Sequence, residues 1–206
     1  TTGQHSSSPE RTNRSKQVID WMVLAVIGIM LFYSAILLLN AYRSGTDLGD
    51  WIWKRHQNLF SWYSRPLFIL PAAYYAYRRK LGYIIGFMLL MATSLFWFAA
   101  PAQTPEAVST YLTWETQMFF TNENRAPMFA LIVAVLLFLV VFFYAFWQRN
   151  PWYGVVIINL GTLAKIVVSL TFGGAAGTAA IVPSVTSLCV INAIAGFIWM
   201  RVQKRA

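Results

Sequence analysis

The sequence predicts an all-α protein, a polytopic transmembrane helix bundle with six spans and both termini on the cytoplasmic side. Three observations predict it. The 206 residues are 58% hydrophobic and only 11% charged, whereas a soluble domain carries about 25% charged residues. Several apolar runs reach about 20 residues, enough to cross a bilayer core of ~30 Å. Basic residues stand in short clusters beside these runs, where orientation signals lie.

Hydropathy places the six spans and the segments around them. The first run, about 25 residues long, exceeds a signal-peptide core and no small-residue cleavage site follows it, so we expect a retained helix. The second is the weakest prediction, because its apolar part begins only at Arg65 and the helix must start upstream. A polar tail (1–17) and a basic tail (201–206) flank one membrane domain (18–200). The predicted spans are residues 18–42, 59–77, 81–100, 127–147, 152–171 and 180–200.

The distribution of Lys and Arg predicts the orientation. With the amino terminus in the cytoplasm, ten of the 16 basic residues lie inside, four lie in outer loops and two lie within spans. We therefore expect a multi-pass protein of the inner (plasma) membrane and interpret the net charge of +9 as topology, with no nucleic-acid partner. The short inner loops 78–80 and 148–151 predict two helical hairpins.

Two basic residues fall inside predicted spans, where a charge costs about 2.5–3.5 kcal/mol and usually faces protein or water. Arg65 lies six residues into the second span, roughly 9 Å deep. Lys165 lies thirteen residues along the fifth span, about 10 Å below the outer surface of the core. Both cations are therefore predicted in the outer third of the membrane.

The stretch TYLTWETQMFF (110–120) belongs to a predicted amphipathic helix, residues 105–120, that lies along the outer interface. Glu115 falls near the centre of its apolar face, where an unpaired carboxylate would be desolvated or protonated. We hypothesise that Glu115 pairs with Arg65 or Lys165. The contact is either structural or part of a ligand-binding site. The other acids considered for this outer cluster are Asp47, Asp50 and Glu123.

Several polar residues have weaker alternative interpretations. Asp47 and Asp50 could hold a metal or serve acid–base chemistry, but beside Gly and Thr they favour the cap of a short interfacial helix. Asn159 and Asn192 favour tight helix packing and could instead line a polar path. The small-residue stretch 171–183 predicts a turn, with a re-entrant segment as the alternative.

The residue types that are missing exclude several chemistries. The two histidines, His5 and His56, lie in the tail and the first outer loop, which excludes bis-histidine haem inside the bundle and a Cys/His zinc cluster. No Walker loop, nucleophile elbow or HExxH motif is present. We therefore predict no catalytic residues, no metal and no cofactor, and we expect that the protein is not an enzyme.

Three classes of function remain. The first is binding or transport of a small anionic solute or lipid headgroup at an outward-facing polar site formed by Arg65, Lys165 and Glu115. The second is a non-catalytic accessory or scaffold subunit of a larger membrane complex. The third, least favoured, is a membrane enzyme acting on a lipid-linked substrate. The expected partners are membrane lipids, together with other membrane subunits or further copies of the chain.

Overall fold

The computed structural model describes residues 9–117 and 126–203 and confirms the all-α class. The described residues form helices and connecting turns, without a strand. Short 3-10 segments occur at Arg65–Phe68, Ser94–Phe96 and Thr178–Ala180. The α-helices are α1 (Pro9–Arg43), α2 (Leu48–His56), α3 (Leu59–Ser64), α4 (Ile69–Tyr77), α5 (Leu81–Thr93), α6 (Glu106–Thr116), α7 (Ala126–Trp147), α8 (Pro151–Gly177) and α9 (Ile181–Gln203).

In the described part of the chain, four helices, not the predicted six, are long and apolar enough to cross a membrane. They match the first, fourth, fifth and sixth predicted spans. The prediction of six such helices is therefore wrong in number. The four segments are Arg14–Arg43, Met128–Trp147, Pro151–Gly174 and Thr178–Ile198.

The second and third predicted spans do not form helices that are long and apolar enough to cross a membrane, and the local reason differs between them. The second is divided into α3, the 3-10 segment Arg65–Phe68 and α4, because Pro66 has no amide hydrogen with which to continue an α-helical ladder. The third is a shorter apolar helix that ends in a 3-10 turn at Phe96. There the hydroxyls of Thr93 and Ser94 bond back to carbonyls one turn earlier, which competes with regular helix geometry.

Helices α4 and α5 form the predicted hairpin, and it runs alongside α1. At the tip, Arg78 and Lys80 form ion pairs with Asp20 of α1. At the other end, Trp97 Nε1 donates a hydrogen bond of 2.8 Å to Ser34 Oγ, also on α1. Asp20 and Ser34 are 14 residues apart, or about 21 Å at the helical rise. The hairpin therefore follows α1 for most of the thickness of a bilayer core.

Helices α7 and α8 form the second predicted hairpin, and two glycines of α8 determine how closely they pack. A Cβ atom added at Gly154 would overlap the ring of Phe146, and one added at Gly161 would overlap the ring of Phe138. The glycines therefore allow two α7 rings to pack directly on the α8 backbone. Arg149 has a left-handed backbone conformation (φ 59°) in the loop between these helices.

Within the predicted small-residue stretch, α8 is kinked at Gly174, close to its carboxyl end. Gly174 has φ 52° and ψ −131°, a conformation that side chains other than glycine rarely adopt. A Cβ atom at Gly177 would overlap the carbonyl of Ser169. Glycine is therefore required at both positions for the chain to fold back into α9.

Helix α6 covers residues Glu106–Thr116 of the predicted segment 105–120, and residues 118–120 lie outside the described residues. Its apolar face is buried in the protein: Val108, Tyr111 and Leu112 are 5%, 6% and 1% exposed. They form a core with Trp62 and Ala180. Helix α6 thus packs against the protein through the face that carries Glu115.

Candidate functional site

The three charged residues singled out in the sequence, Arg65, Glu115 and Lys165, line one cavity of about 670 Å³. Its walls come from α3, the 3-10 segment that follows it, and α4, α5, α6, α7, α8 and α9. His56, at the end of α2, lines the same cavity. The cavity therefore collects polar and charged side chains from segments that are up to 109 residues apart, the separation of His56 and Lys165.

Arg65 is held in place by hydrogen bonds within its own part of the chain. Its Nε donates to the carbonyl oxygen of Ser61 at 3.0 Å, and an Nη lies 3.4 Å from Ser61 Oγ. The same Nη lies 2.8 Å from His56 Nδ1. Arginine is a donor only, so Nδ1 of His56 accepts this bond and the ring carries its proton on Nε2.

His56 is buried, with 6% of its surface exposed. Its ring contacts Trp53 and Trp62, and its carbonyl accepts a 2.9 Å hydrogen bond from Trp62 Nε1. Burial, followed by the charges of Arg65 and Lys165, lowers the pKa of His56 to about 3. The imidazole is therefore neutral at pH 7, as the bond from Arg65 requires.

Glu115 and Tyr111 lie one turn apart on α6. Both residues line the cavity. Burial raises the pKa of Glu115, and the Tyr111 hydroxyl and the charges of Lys165 and Arg65 oppose that rise. Burial also raises the pKa of Tyr111, so its hydroxyl keeps its proton at pH 7.

The charges that line the cavity do not form contact ion pairs. Among the described residues, every ion pair of 4.0 Å or less is made by Asp20, at a different place in the fold. The hypothesised pairing of Glu115 with Arg65 or Lys165 is therefore absent at contact distance. Two cations and one carboxylate instead share the wall of an open space.

The secondary candidates Asp47, Asp50, Asn159 and Asn192 are not among the residues that line the cavity. Asp47 caps α2, and its Oδ1 accepts a 2.8 Å hydrogen bond from the amide of Asp50, which confirms the predicted cap. Asn159 and Asn192 bond reciprocally between α8 and α9, at 3.1 and 2.9 Å. Glu123 lies outside the described residues. Within the described ranges, no group of three His, Cys, Asp or Glu side chains could hold a metal ion.

Two residues of the cavity, His56 and Tyr111, were not singled out in the sequence. The sequence gives no signal for the bond of His56 to Arg65, because that bond depends on the path of the chain between α2 and α3. Tyr111 lies on the buried apolar face of α6, one turn before Glu115. That spacing is a usable signal, because residues four apart on a helix are neighbours.

Asp20 was also not predicted, although it lies inside the first apolar run and is 4% exposed. It forms ion pairs with Arg78, at 2.5 Å, and with Lys80. It accepts a 3.1 Å hydrogen bond from the hydroxyl of Tyr75, and its carbonyl oxygen accepts one from Tyr83. The cost of intramembrane charge that identified Arg65 and Lys165 applies equally to Asp20.

Comparisons with protein-family models, with curated proteins and with solved structures find no match for this chain. We therefore infer function from the geometry of the cavity. Its volume is within the range of small-molecule sites, about 300–1,000 Å³. Its apolar walls with a few converging polar groups are also typical of such sites.

Proposed function

We propose that this protein is an integral membrane protein that binds or transports a ligand bearing an anionic group, either a small solute or a lipid headgroup, in the cavity. One observation carries the proposal: Arg65 and Lys165 line the same cavity, and neither makes an ion pair of 4.0 Å or less with a described residue. Charged residues without ion-pair partners in a membrane domain are costly, so their position favours a functional role.

The charge balance of the lining favours an anion. Arg65 and Lys165 contribute two positive charges, and His56 is neutral because its pKa is about 3. Glu115 is the acid among these lining residues. Even when Glu115 is ionised, this set therefore keeps a positive charge.

We also propose that both termini lie in the cytoplasm, that the membrane is the inner (plasma) membrane, and that the cavity opens on the outer side. The excess of Lys and Arg on the side of the amino terminus supports this orientation. Four crossings place both termini on one side. The α4–α5 hairpin does not change this, because it runs back beside α1, so that Arg78 and Lys80 reach Asp20 near the amino-terminal end of that helix. On this orientation α6 lies at the outer interface, with its polar face outward and its apolar face on the bundle.

Native mass spectrometry of the protein purified in a mild detergent tests the proposed function. We expect an anionic small molecule or lipid to remain bound to the native chain and to be lost from Lys165→Met. Lys54→Met, the same change on α2 away from the cavity, should retain it. If the native chain and both variants carry no anionic species, and added anions do not bind, the proposal is wrong.

The accessory-subunit alternative makes a different prediction in the same experiment. A stoichiometric set of other membrane chains would then purify with the protein, and Lys165→Met would change that set without changing any bound anion. The enzyme class has little support, because Asp47, one of its candidate acids, is engaged as the cap of α2.

A further inference from the structure

Polar and apolar residues of the cavity lining are separated along the helix axes. On α8, Lys165 lines the cavity, and Ile158 lines it seven residues earlier, about 10 Å away along the axis. On the antiparallel α9, Ser184 and Ile191 are separated in the same way. Ile158 and Ile191 lie at nearly the same level, because the adjacent Asn159 and Asn192 bond to each other and both isoleucines belong to one apolar core.

The polar groups in the deeper part of the cavity are already hydrogen-bonded. Thr162 Oγ1 donates to the carbonyl of Ile158 at 2.8 Å, and Ser187 Oγ donates to the carbonyl of Pro183 at 2.7 Å. Phe138, Ile158 and Ile191, which also line the cavity, belong to one apolar core. A water molecule in this part would find few of the two to four partners that it needs.

The other end of the cavity has hydrogen-bond donors to spare. Arg65 uses Nε and one Nη in bonds to Ser61 and His56. Among the described residues, its second Nη and the Lys165 ammonium have no hydrogen-bond acceptor in contact. A carboxylate or phosphate oxygen is the group that such donors bind best.

We propose that the ligand is an amphiphile with a single anionic headgroup and one apolar chain. The headgroup lies at Arg65 and Lys165, and the chain lies against Phe138, Ile158 and Ile191. This inference rests on the proposed anion site and names the class of its ligand. A cavity of about 670 Å³ suits one drug-sized molecule. Its apolar depth would go unused by a small hydrophilic anion.

The test uses the full chain in phosphatidylcholine nanodiscs, because a detergent with an alkyl chain would compete for the same space. Three probes are compared by native mass spectrometry: dodecanoate, acetate and dodecyltrimethylammonium. We expect one dodecanoate per chain, bound at least tenfold more tightly than acetate, which lacks the chain, or than the cation, which lacks the anionic head.

Variants separate the two parts of the ligand. Lys165→Met should weaken dodecanoate binding at least tenfold, and Lys54→Met on α2 should leave it unchanged. Thr162→Phe places a ring between the two ends of the cavity, so it should weaken dodecanoate binding and leave acetate binding as it was. Ser187→Leu repeats that test from α9 if Thr162→Phe does not fold.

The outcomes distinguish this inference from the proposed function. If acetate binds as tightly as dodecanoate, and neither Thr162→Phe nor Ser187→Leu changes dodecanoate binding, the inference that the ligand has an apolar chain is wrong. The proposed anion site would then still be supported. If the cation binds as tightly as dodecanoate, the anionic headgroup is wrong. If none of the anions binds and Lys165→Met has no effect, both proposals fail.

Discussion

Two groups of charged residues, at opposite ends of the α4–α5 hairpin region, are built in contrasting ways. At the tip of the hairpin, Asp20 is surrounded by Arg78, Lys80 and the hydroxyl of Tyr75, all in contact with its carboxylate. At the other end, Arg65 and Lys165 line a cavity, and Glu115 lies on the same wall without touching either at ion-pair distance.

The difference shows what each group of charges does for the fold. Asp20 joins α1 to the loop between α4 and α5, so its charge is used in holding helices together. The cations of the cavity have no contact ion pair among the described residues, although Lys165 lies in a helix long and apolar enough to cross a membrane, where a charge costs free energy. Stability therefore explains the first group and does not explain the second, for which the proposed ligand would supply the missing partner.

The largest effect is expected for Asp20→Asn. This change removes the charge from two ion pairs, and hydrogen bonds to charged groups contribute ~1.5–3 kcal/mol each. Because Arg78 and Lys80 are 22% and 35% exposed, we expect the free energy of unfolding to fall by about 2 kcal/mol. Circular dichroism during thermal unfolding measures it.

Asp47→Asn is the matched control, because asparagine caps a helix as well as aspartate does. An Asp20→Asn protein that unfolds at the same temperature as the native chain would show that the Asp20 contacts do not stabilise the bundle.

A smaller loss of stability is expected when the protein is acidified, because His56 of the cavity then takes up a proton on unfolding. The unfolded chain binds a proton on His56 near pH 6.5, whereas burial holds the pKa in the folded state at about 3. Stability is therefore fully present above pH 6.5 and is lost as the pH falls toward 3. At pH 5 the loss should be about 1–2 kcal/mol.

The loss of stability between pH 7.5 and pH 5, measured from melting temperatures, should be smaller in His56→Gln than in the native chain. Comparing the two proteins cancels the contribution of Glu115, whose raised pKa acts in the opposite direction. His5→Gln, in the amino-terminal tail, is the control. An identical pH dependence in all three proteins would contradict the buried, neutral histidine.

The close packing of Phe138 of α7 on Gly161 of α8 can be tested by replacing the glycine. Gly161→Ala forces the ring of Phe138 to move, and such overpacking costs ~1–3 kcal/mol. We expect about 1 kcal/mol, since the adjacent cavity gives the ring room to shift. Gly196→Ala, on α9 with nothing within 4 Å, should be neutral or stabilising. Equal melting temperatures for the two variants would contradict the close packing of α7 on α8.

Much of the fold could be predicted because long apolar runs need only length and hydropathy to be identified. This holds for α1, α7, α8 and α9, and the two hairpins followed from short loops. The second predicted span is not one long helix, because Pro66 has no amide hydrogen to donate. A hydropathy profile does not contain this information.

The cavity could be predicted in part. Arg65, Lys165 and Glu115 were found from the cost of their positions, and the structure places all three on its lining. The role of His56 could not be found in that way, because a tertiary contact with Arg65 creates it. Asp20 could have been found, since the same cost applies to it and the basic loop 78–80 offers its partners.

The smallest change in stability is expected for Lys165→Met. This variant is also the most direct test of the contrast between the Asp20 ion pairs and the charges of the cavity. Methionine keeps much of the side-chain length without the charge. We predict that the melting temperature stays the same or rises, since no contact ion pair of the described residues is lost. Anion binding, measured on the same preparation, should fall at least tenfold. A melting temperature lowered as far as in Asp20→Asn, with anion binding unchanged, would contradict this account.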